Sequence, residues 1–139
     1  MVRRRRTGRR RGTTAVELAL VLPVMLLVTF GAIKYGWLFL RAQQITNAAR
    51  YGARLAIVAD ATIPDVKARI TSLLAAANIV VNSDEITITP PDISTLNVGD
   101  AITVEIAIPA ARVDIMDVPL FPKVDGNISA SVSMAREGF

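Results

Sequence analysis

The sequence predicts an α+β protein: a long N-terminal transmembrane helix continuing into a helical segment, a second amphipathic helix, and a small antiparallel sheet of three or four strands. Three observations support this prediction. An uncharged apolar stretch lies near the N-terminus, apolar residues then recur every three or four positions, and in the C-terminal half they alternate with polar ones. With 139 residues, the chain has room for a membrane anchor and one small domain.

The apolar stretch has the length of a membrane span. No charged side chain lies between Leu18 and Ile33, and apolar residues resume after Lys34 as far as Leu40. At about 1.5 Å per residue these limits give roughly 24 Å and roughly 35 Å, which bracket a bilayer core. A buried core helix is the alternative, but the remaining chain is too small to cover one on every side. We therefore predict a transmembrane helix at residues 13–41 and an extracytoplasmic domain at residues 42–139.

The outer end of this helix carries a lysine and two aromatic residues. An ammonium group at mid-bilayer is costly, so we expect Lys34 near the outer interface with its amine snorkelling outward. Tyr35 and Trp37 beside it are typical of the aromatic belt at a membrane surface. These three residues are predicted to mark the membrane interface.

Charge is concentrated at the N-terminus. The formal net charge is +4, from 16 basic and 12 acidic residues. Seven arginines precede Gly12, which leaves nine basic residues against all 12 acidic ones in the rest of the chain. Arginines directly before an apolar helix keep that end in the cytoplasm. The distribution therefore indicates control of membrane topology and gives no basic domain for binding nucleic acid.

The composition also excludes much catalytic chemistry. The chain has no Cys and no His, which removes thiolate nucleophiles, imidazole bases, disulfides and Cys/His zinc sites. Asp114 and Asp117 lack the neighbouring oxygen ligands of a calcium loop. We expect no enzymatic activity, no catalytic residue, no metal and no cofactor.

The domain outside the membrane is predicted from periodicity. Helices are expected at about 42–59 and 63–78, the second beginning with Thr62 as N-cap. The first carries a stripe of small residues, which suits either close approach of another helix or packing on its own domain. Strands are expected at about 85–89, 101–108 and 127–135, with residues 79–81 as an optional further edge. The apolar loop at 113–122 is expected to plug the end of the sheet in preference to contacting another subunit.

The start of the apolar helix has a particular arrangement. The arginine leader is followed by Gly12, then Thr13, and then Glu17 directly before the uncharged run. A carboxylate at that depth costs a few kcal/mol unless it is paired. It is either paired with a cation or helps the positive end of the helix dipole, and we favour pairing. The arrangement resembles the leader of type IV prepilins, in which a membrane peptidase cuts after the glycine.

Under that resemblance Thr13 becomes the new N-terminus and Glu17 the fifth mature residue. A neighbouring subunit displaced by about one helix turn would then place its α-amino group beside the Glu17 carboxylate. Correctly staggered subunits are stabilised by this salt bridge and unpaired subunits are penalised. We therefore predict leader cleavage between Gly12 and Thr13 and an assembly salt bridge at Glu17.

A longer segment resembles the TadE-like family, the minor pilins or pseudopilins of tight-adherence type IV pilus systems. The matching segments are Arg10 to Pro23, Phe30-Gly31, Tyr35-Gly36, Gln44 and Thr46 to Arg54. The chain departs from the family where Leu18 replaces a usual aromatic residue and Lys34 a usual acidic one. The resemblance implies processing by a prepilin peptidase and a role in assembling a tight-adherence (Flp-type) pilus for surface attachment or secretion.

The resemblance also implies partners and location. The expected partners are the membrane, the prepilin peptidase, other pilin or pseudopilin subunits and the tight-adherence assembly proteins. The expected location is the bacterial inner membrane, which the chain crosses once, with its N-terminus in the cytoplasm and its C-terminal domain outside. Incorporation into the pilus is a further possible location. The alternative is a single-pass membrane-anchored binding module of the cell envelope that does not polymerise.

Overall fold

The computed structural model describes residues 9–58, 61–93, 96–115 and 122–136. Within them the chain forms α1 (Arg9–Ala56), α2 (Ile63–Ala76), β1 (Ile86–Thr89), β2 (Ala101–Pro109), α3 (Ala110–Val113) and β3 (Asn127–Ala135). The molecule divides into two compact units, of which the first ends at Gly36 and the second begins at Trp37. Whether the helix leaves the membrane at residue 41 stays a prediction.

In the first unit, α1 is an apolar helix whose side chains are not buried by other described residues. From Gly12 to Ile33 every residue is exposed except the half-buried Gly31. The hydroxyl of Thr29 donates to the carbonyl oxygen of Met25 at 2.8 Å, which satisfies this polar group inside an apolar segment. Exposed leucine, valine and methionine side chains along so many turns require an apolar environment that the described residues do not supply.

In the second unit, the small-residue stripe of α1 packs on its own domain. The buried members of the stripe are Ile45, Ala48, Ala49, Ala53 and Ala56. Gly52 belongs to the same face, and a Cβ added there would lie 2.5 Å from Cδ1 of Ile70 and 3.6 Å from a methyl of Val104. Packing on the chain's own domain, one of the two alternatives for this stripe, is therefore the arrangement in the structure.

Helix α2 has the start that its sequence predicts. The Thr62 hydroxyl accepts from the backbone N–H of Asp65, and proline occupies the first turn. Val66, Ile70 and Leu74 are buried one turn apart, which places one face of the helix in the core. Asn78 follows the helix with a φ of 55°, a left-handed conformation that asparagine tolerates at a helix end.

The sheet has three strands in the order β1-β2-β3, all antiparallel. The central strand buries Ile102, Val104, Ile106 and Ile108 completely, as its alternating sequence predicts. The α+β fold class is confirmed. Ile79 and Val81 are buried, but residues 79–81 form no strand, so the option of a fourth strand at that segment is wrong.

The connection before β3 falls partly outside the described residues. Helix α3, which the sequence analysis does not predict, follows β2 directly and buries Ala110 and Val113. Residues 116–121, which make up most of the apolar loop expected to plug the sheet, lie outside the described part of the chain. The role of that loop stays a prediction.

Candidate processing and assembly site

The predicted cleavage point lies on an open stretch of α1. Gly12 is exposed, and a Cβ added there would meet no atom within 4 Å. Thr13 is also exposed. Within the described residues, no atom beyond the local helix therefore approaches the side of Gly12 on which a Cβ would lie.

Glu17 lies one helical turn beyond Thr13. A spacing of four residues puts both on the same face of the helix, with a rise of about 6 Å. Glu17 is exposed, between Val16 at 63% and Leu18 at 61% exposure. The carboxylate therefore lies on an apolar surface. An apolar environment would suit Val16 and Leu18 but would disfavour the charge of Glu17.

The segment that follows is a candidate membrane anchor. The stretch Gly12–Ala56 contains an 18-residue window with a mean hydropathy of 2.4, and none of that window is buried inside the structure. A soluble core helix is mostly buried, whereas this window is entirely uncovered. Its length and composition are sufficient for one crossing of a bilayer.

Lys34, which the sequence analysis places at the outer membrane interface, is buried in the structure. It is 1% exposed, the one buried charged or polar side chain among the described residues. It also takes part in a polar or electrostatic interaction within the chain. An ammonium group can be buried at tolerable cost only when partners replace its water. The direction of the Lys34 amine relative to a membrane, and the depth of Lys34 in it, stay predictions.

The two aromatic residues of the predicted interface have different surroundings. Tyr35 is 57% exposed. Trp37 is half-buried and its indole N–H donates to the carbonyl oxygen of Val113 at 3.0 Å. Trp37 is thus part of the folded domain and holds α1 to α3. Its place at the membrane surface, and that of Tyr35, stay predictions.

Arg41 is a site residue that the sequence analysis misses. Its guanidinium carbon lies 4.3 Å from the centroid of the Trp37 ring, close enough for a cation–π contact. Its Nη1 donates to the carbonyl oxygen of Ala77, which caps α2, and to Oε1 of Gln44. The spacing of four residues between Trp37 and Arg41 is the signal for the stacking. The bond to Ala77 has no signal in the sequence because it joins distant elements.

The described residues hold no cluster suited to a metal. No group of three or more acidic residues converges among them. An open groove of about 670 Å³ lies beside α2, lined by Ile63, Lys67 and Ser83 among others. The site is thus a linear arrangement along one helix: Gly12 and Thr13, then Glu17, then the apolar segment and its interface residues.

The exposed apolar helix is a candidate membrane anchor, and its continuation into a small α+β domain is consistent with a membrane-anchored, pilin-like protein. Residues 12–54 match the family model described as TadE-like protein, which confirms the resemblance drawn from the sequence. The match lies wholly within α1 and begins at Gly12. Neither the curated proteins nor the solved structures include a significant match to the chain.

Proposed function

We propose that the chain is a minor pilin or pseudopilin of a tight-adherence (Flp-type) pilus, processed by a prepilin peptidase between Gly12 and Thr13. It crosses the bacterial inner membrane once, with its N-terminus in the cytoplasm and its domain outside. The observation that carries the proposal is the position of the family match. The match begins at Gly12 and includes both Glu17 and the exposed apolar part of α1.

The proposed role in assembly follows from the chemistry of that helix. Cleavage would remove seven arginines and create a cationic α-amino group on Thr13. This amine would lie near the depth at which an unpaired Glu17 carboxylate is costly. The amine of a neighbouring subunit, shifted by about one turn, would neutralise the carboxylate. The partners are therefore other pilin or pseudopilin subunits, the peptidase and the assembly proteins, for surface attachment or secretion. We propose no catalytic role for the chain itself.

The experiment compares two acidic residues in a cell that makes the pilus. Glu17→Ala and Glu17→Gln each remove the charge that we assign to subunit pairing, while the apolar helix still inserts. Incorporation of the chain into sheared pili is expected to fall at least about tenfold, since one tenfold step needs only about 1.4 kcal/mol. Glu105→Ala, at an exposed position of β2, is the matched control and should incorporate normally.

The outcome that would contradict assembly is equally clear. Equal incorporation of Glu17→Ala and Glu105→Ala would mean that the carboxylate has no role in pairing. Absence of even the unchanged chain from pili, with normal membrane anchoring, would favour the non-polymerising envelope module. Measuring the membrane-bound amount of each variant separates failed assembly from failed insertion.

A further inference from the structure

The outward face of α1 in the folded domain carries a group of polar side chains. Its members are exposed and recur at intervals of three and four residues: Asn47, Arg50, Tyr51 and Arg54. This spacing places all four on one side of the helix. The buried stripe of small residues lies on the opposite side of the same helix, so the polar group faces away from the core.

These four side chains line a concave site of about 190 Å³, which we call the α1 cleft. They supply two guanidinium groups, one amide and one phenol, and each of these groups can donate hydrogen bonds. No carboxylate from the described residues lines the α1 cleft. In sequence, α1 has no acidic residue between Trp37 and Ala56. The α1 cleft therefore combines positive charge with hydrogen-bond donors, and its described lining contains no anion.

Most other cationic side chains of the domain have a partner within the chain. Those that donate a hydrogen bond to an oxygen atom of another described residue include Arg41, Lys67, Arg112 and Arg136. Within the described residues, the guanidinium groups of Arg50 and Arg54 have no such partner. A single exposed arginine is ordinary, and Arg69 on α2 is one. The specific feature of the α1 cleft is that two cations lie one helical turn apart, where like charges repel.

The size and charge of the α1 cleft limit what it can hold. Pockets for drug-sized molecules measure about 300–1,000 Å³, so a volume of about 190 Å³ suits one small group. A single carboxylate would balance only one of the two guanidinium charges. A phosphate monoester carries a charge of about −1.5 to −2 at pH 7 and three acceptor oxygens. Its oxygens also match the planar fork of a guanidinium group.

We propose that the α1 cleft binds a terminal phosphate group, either as inorganic phosphate or as the monoester of a larger molecule. Arg50 and Arg54 hold the phosphate oxygens from adjacent helical turns, while the Asn47 amide and the Tyr51 hydroxyl donate further hydrogen bonds. A phosphodiester is a poorer ligand, because it carries a single negative charge. The α1 cleft lies entirely within the folded domain, so the proposal depends on neither leader cleavage nor pilus assembly.

The test titrates the full chain in micelles of an uncharged detergent, at pH 7 and constant ionic strength, and follows the N–H signals of residues 47–54 by NMR. The probes are inorganic phosphate, methyl phosphate, dimethyl phosphate and acetate. Inorganic phosphate should give saturable shifts and bind at least about tenfold more tightly than dimethyl phosphate or acetate. Comparable binding of methyl phosphate would identify a monoester as the ligand, whereas binding of inorganic phosphate alone would identify the free ion. Signals of the arginine leader report non-specific binding.

Arg50→Gln and Arg54→Gln each remove one positive charge at an exposed position, so the core stays unchanged. Each variant should weaken phosphate binding at least about tenfold. Arg69→Gln, at an exposed position of α2, is the matched control and should leave the affinity unchanged. If either cleft variant fails to fold, Tyr51→Phe removes only a hydroxyl from the same site and should weaken binding about threefold.

Three results would overturn the proposal. Shifts at residues 47–54 that do not saturate would mean that the α1 cleft does not bind phosphate. Equal phosphate affinities of the α1 cleft and the arginine leader, or of Arg54→Gln and Arg69→Gln, would mean that the attraction is non-specific. Binding of acetate as tight as that of phosphate would assign the α1 cleft to a carboxylate of an acidic polypeptide.

Discussion

Helix α1 contains two helical segments that differ in burial: the first exposes its apolar side chains, and the second buries one face against the domain. Between Gly12 and Ile33 its apolar side chains are exposed on all sides. Between Ile45 and Ala56 one face of small residues is buried and the opposite face, with Arg50, Tyr51 and Arg54, is exposed. The second segment packs on its own domain, whereas the first is uncovered by the described residues and is a candidate membrane anchor.

The difference arises from the side chains and not from the helix. Both segments are helical, and a helix bonds its backbone groups internally in water and in lipid alike, except where Pro23 in the first segment has no N–H to donate. Large aliphatic residues on every side suit lipid, whereas alanine and glycine on one side allow the domain to approach within contact distance. Substitutions that change only side chains should therefore affect the two segments differently.

The largest expected effect comes from a charge placed in the first segment. Leu26→Arg puts a guanidinium near the centre of the predicted span, at a cost of about 3 kcal/mol. The fraction of chain that resists alkaline extraction from membranes should fall sharply. Tyr51→Arg makes the same addition at an exposed position of the second segment and should extract as the unchanged chain does. Equal behaviour of the two variants would contradict the division.

A smaller effect is expected from filling the contact at Gly52. Gly52→Leu would overlap Cδ1 and Cγ1 of Ile70 and should destabilise the domain by about 1–3 kcal/mol. The midpoint of thermal unfolding in detergent should fall by several degrees. Gly36→Leu is the matched control in the same helix, because a Cβ there meets nothing within 4 Å, and its midpoint should not fall. A loss at Gly36 as large as at Gly52 would refute the contact.

The hydrogen bond of Trp37 should contribute about 1 kcal/mol to domain stability. Trp37→Phe keeps an aromatic ring beside Arg41 but removes the donor to the Val113 carbonyl. We expect a small decrease in the denaturant midpoint of the domain and unchanged membrane extraction. Tyr35→Phe, at an exposed neighbour, should leave the midpoint unaltered, and a larger loss there than at Trp37 would reverse the assignment.

The smallest expected effect is on the stability of the domain at acidic pH. A backbone hydrogen bond from Asn82 and the nearby Arg112 guanidinium, 2.8 Å away, hold the pKa of Glu85 below its ordinary value of 4.5. A depressed pKa favours the ionised form in the folded state, so this stabilisation is present above pH 4.5 and is lost as the pH falls further. Unfolding curves between pH 6 and 3 should show less acid sensitivity for Glu85→Gln than for the unchanged chain. Equal sensitivity would mean that Glu85 does not contribute.

Much of the fold follows from periodicity, and the exceptions have physical reasons. The alternation in β2 and the Thr62 cap are local signals, and the structure contains both features. The hydrogen bond from Arg41 to Ala77 joins residues far apart in the chain, which no local pattern encodes. Helix α3 is too short for a periodic signal. The sequence alone left open what packs on the small-residue stripe of α1, and the close approach of Ile70 to Gly52 identifies the chain's own domain.

The candidate site was more predictable than the domain contacts. Gly12, Thr13 and Glu17 are neighbours in sequence, so their order along one helix follows directly from helix geometry. What they do depends on molecules outside the chain, the peptidase and the neighbouring subunit. Their chemistry is therefore a proposal about processing and pairing.

The most direct measurement is the intact mass and N-terminal sequence of the membrane-extracted chain after coexpression with its cognate prepilin peptidase. We predict a mature chain that begins at Thr13, together with an uncut chain when the peptidase is absent or when Gly12→Arg blocks the cleavage point. A chain that keeps its arginine leader in the presence of active peptidase would contradict the pairing of Glu17 with a newly formed N-terminus.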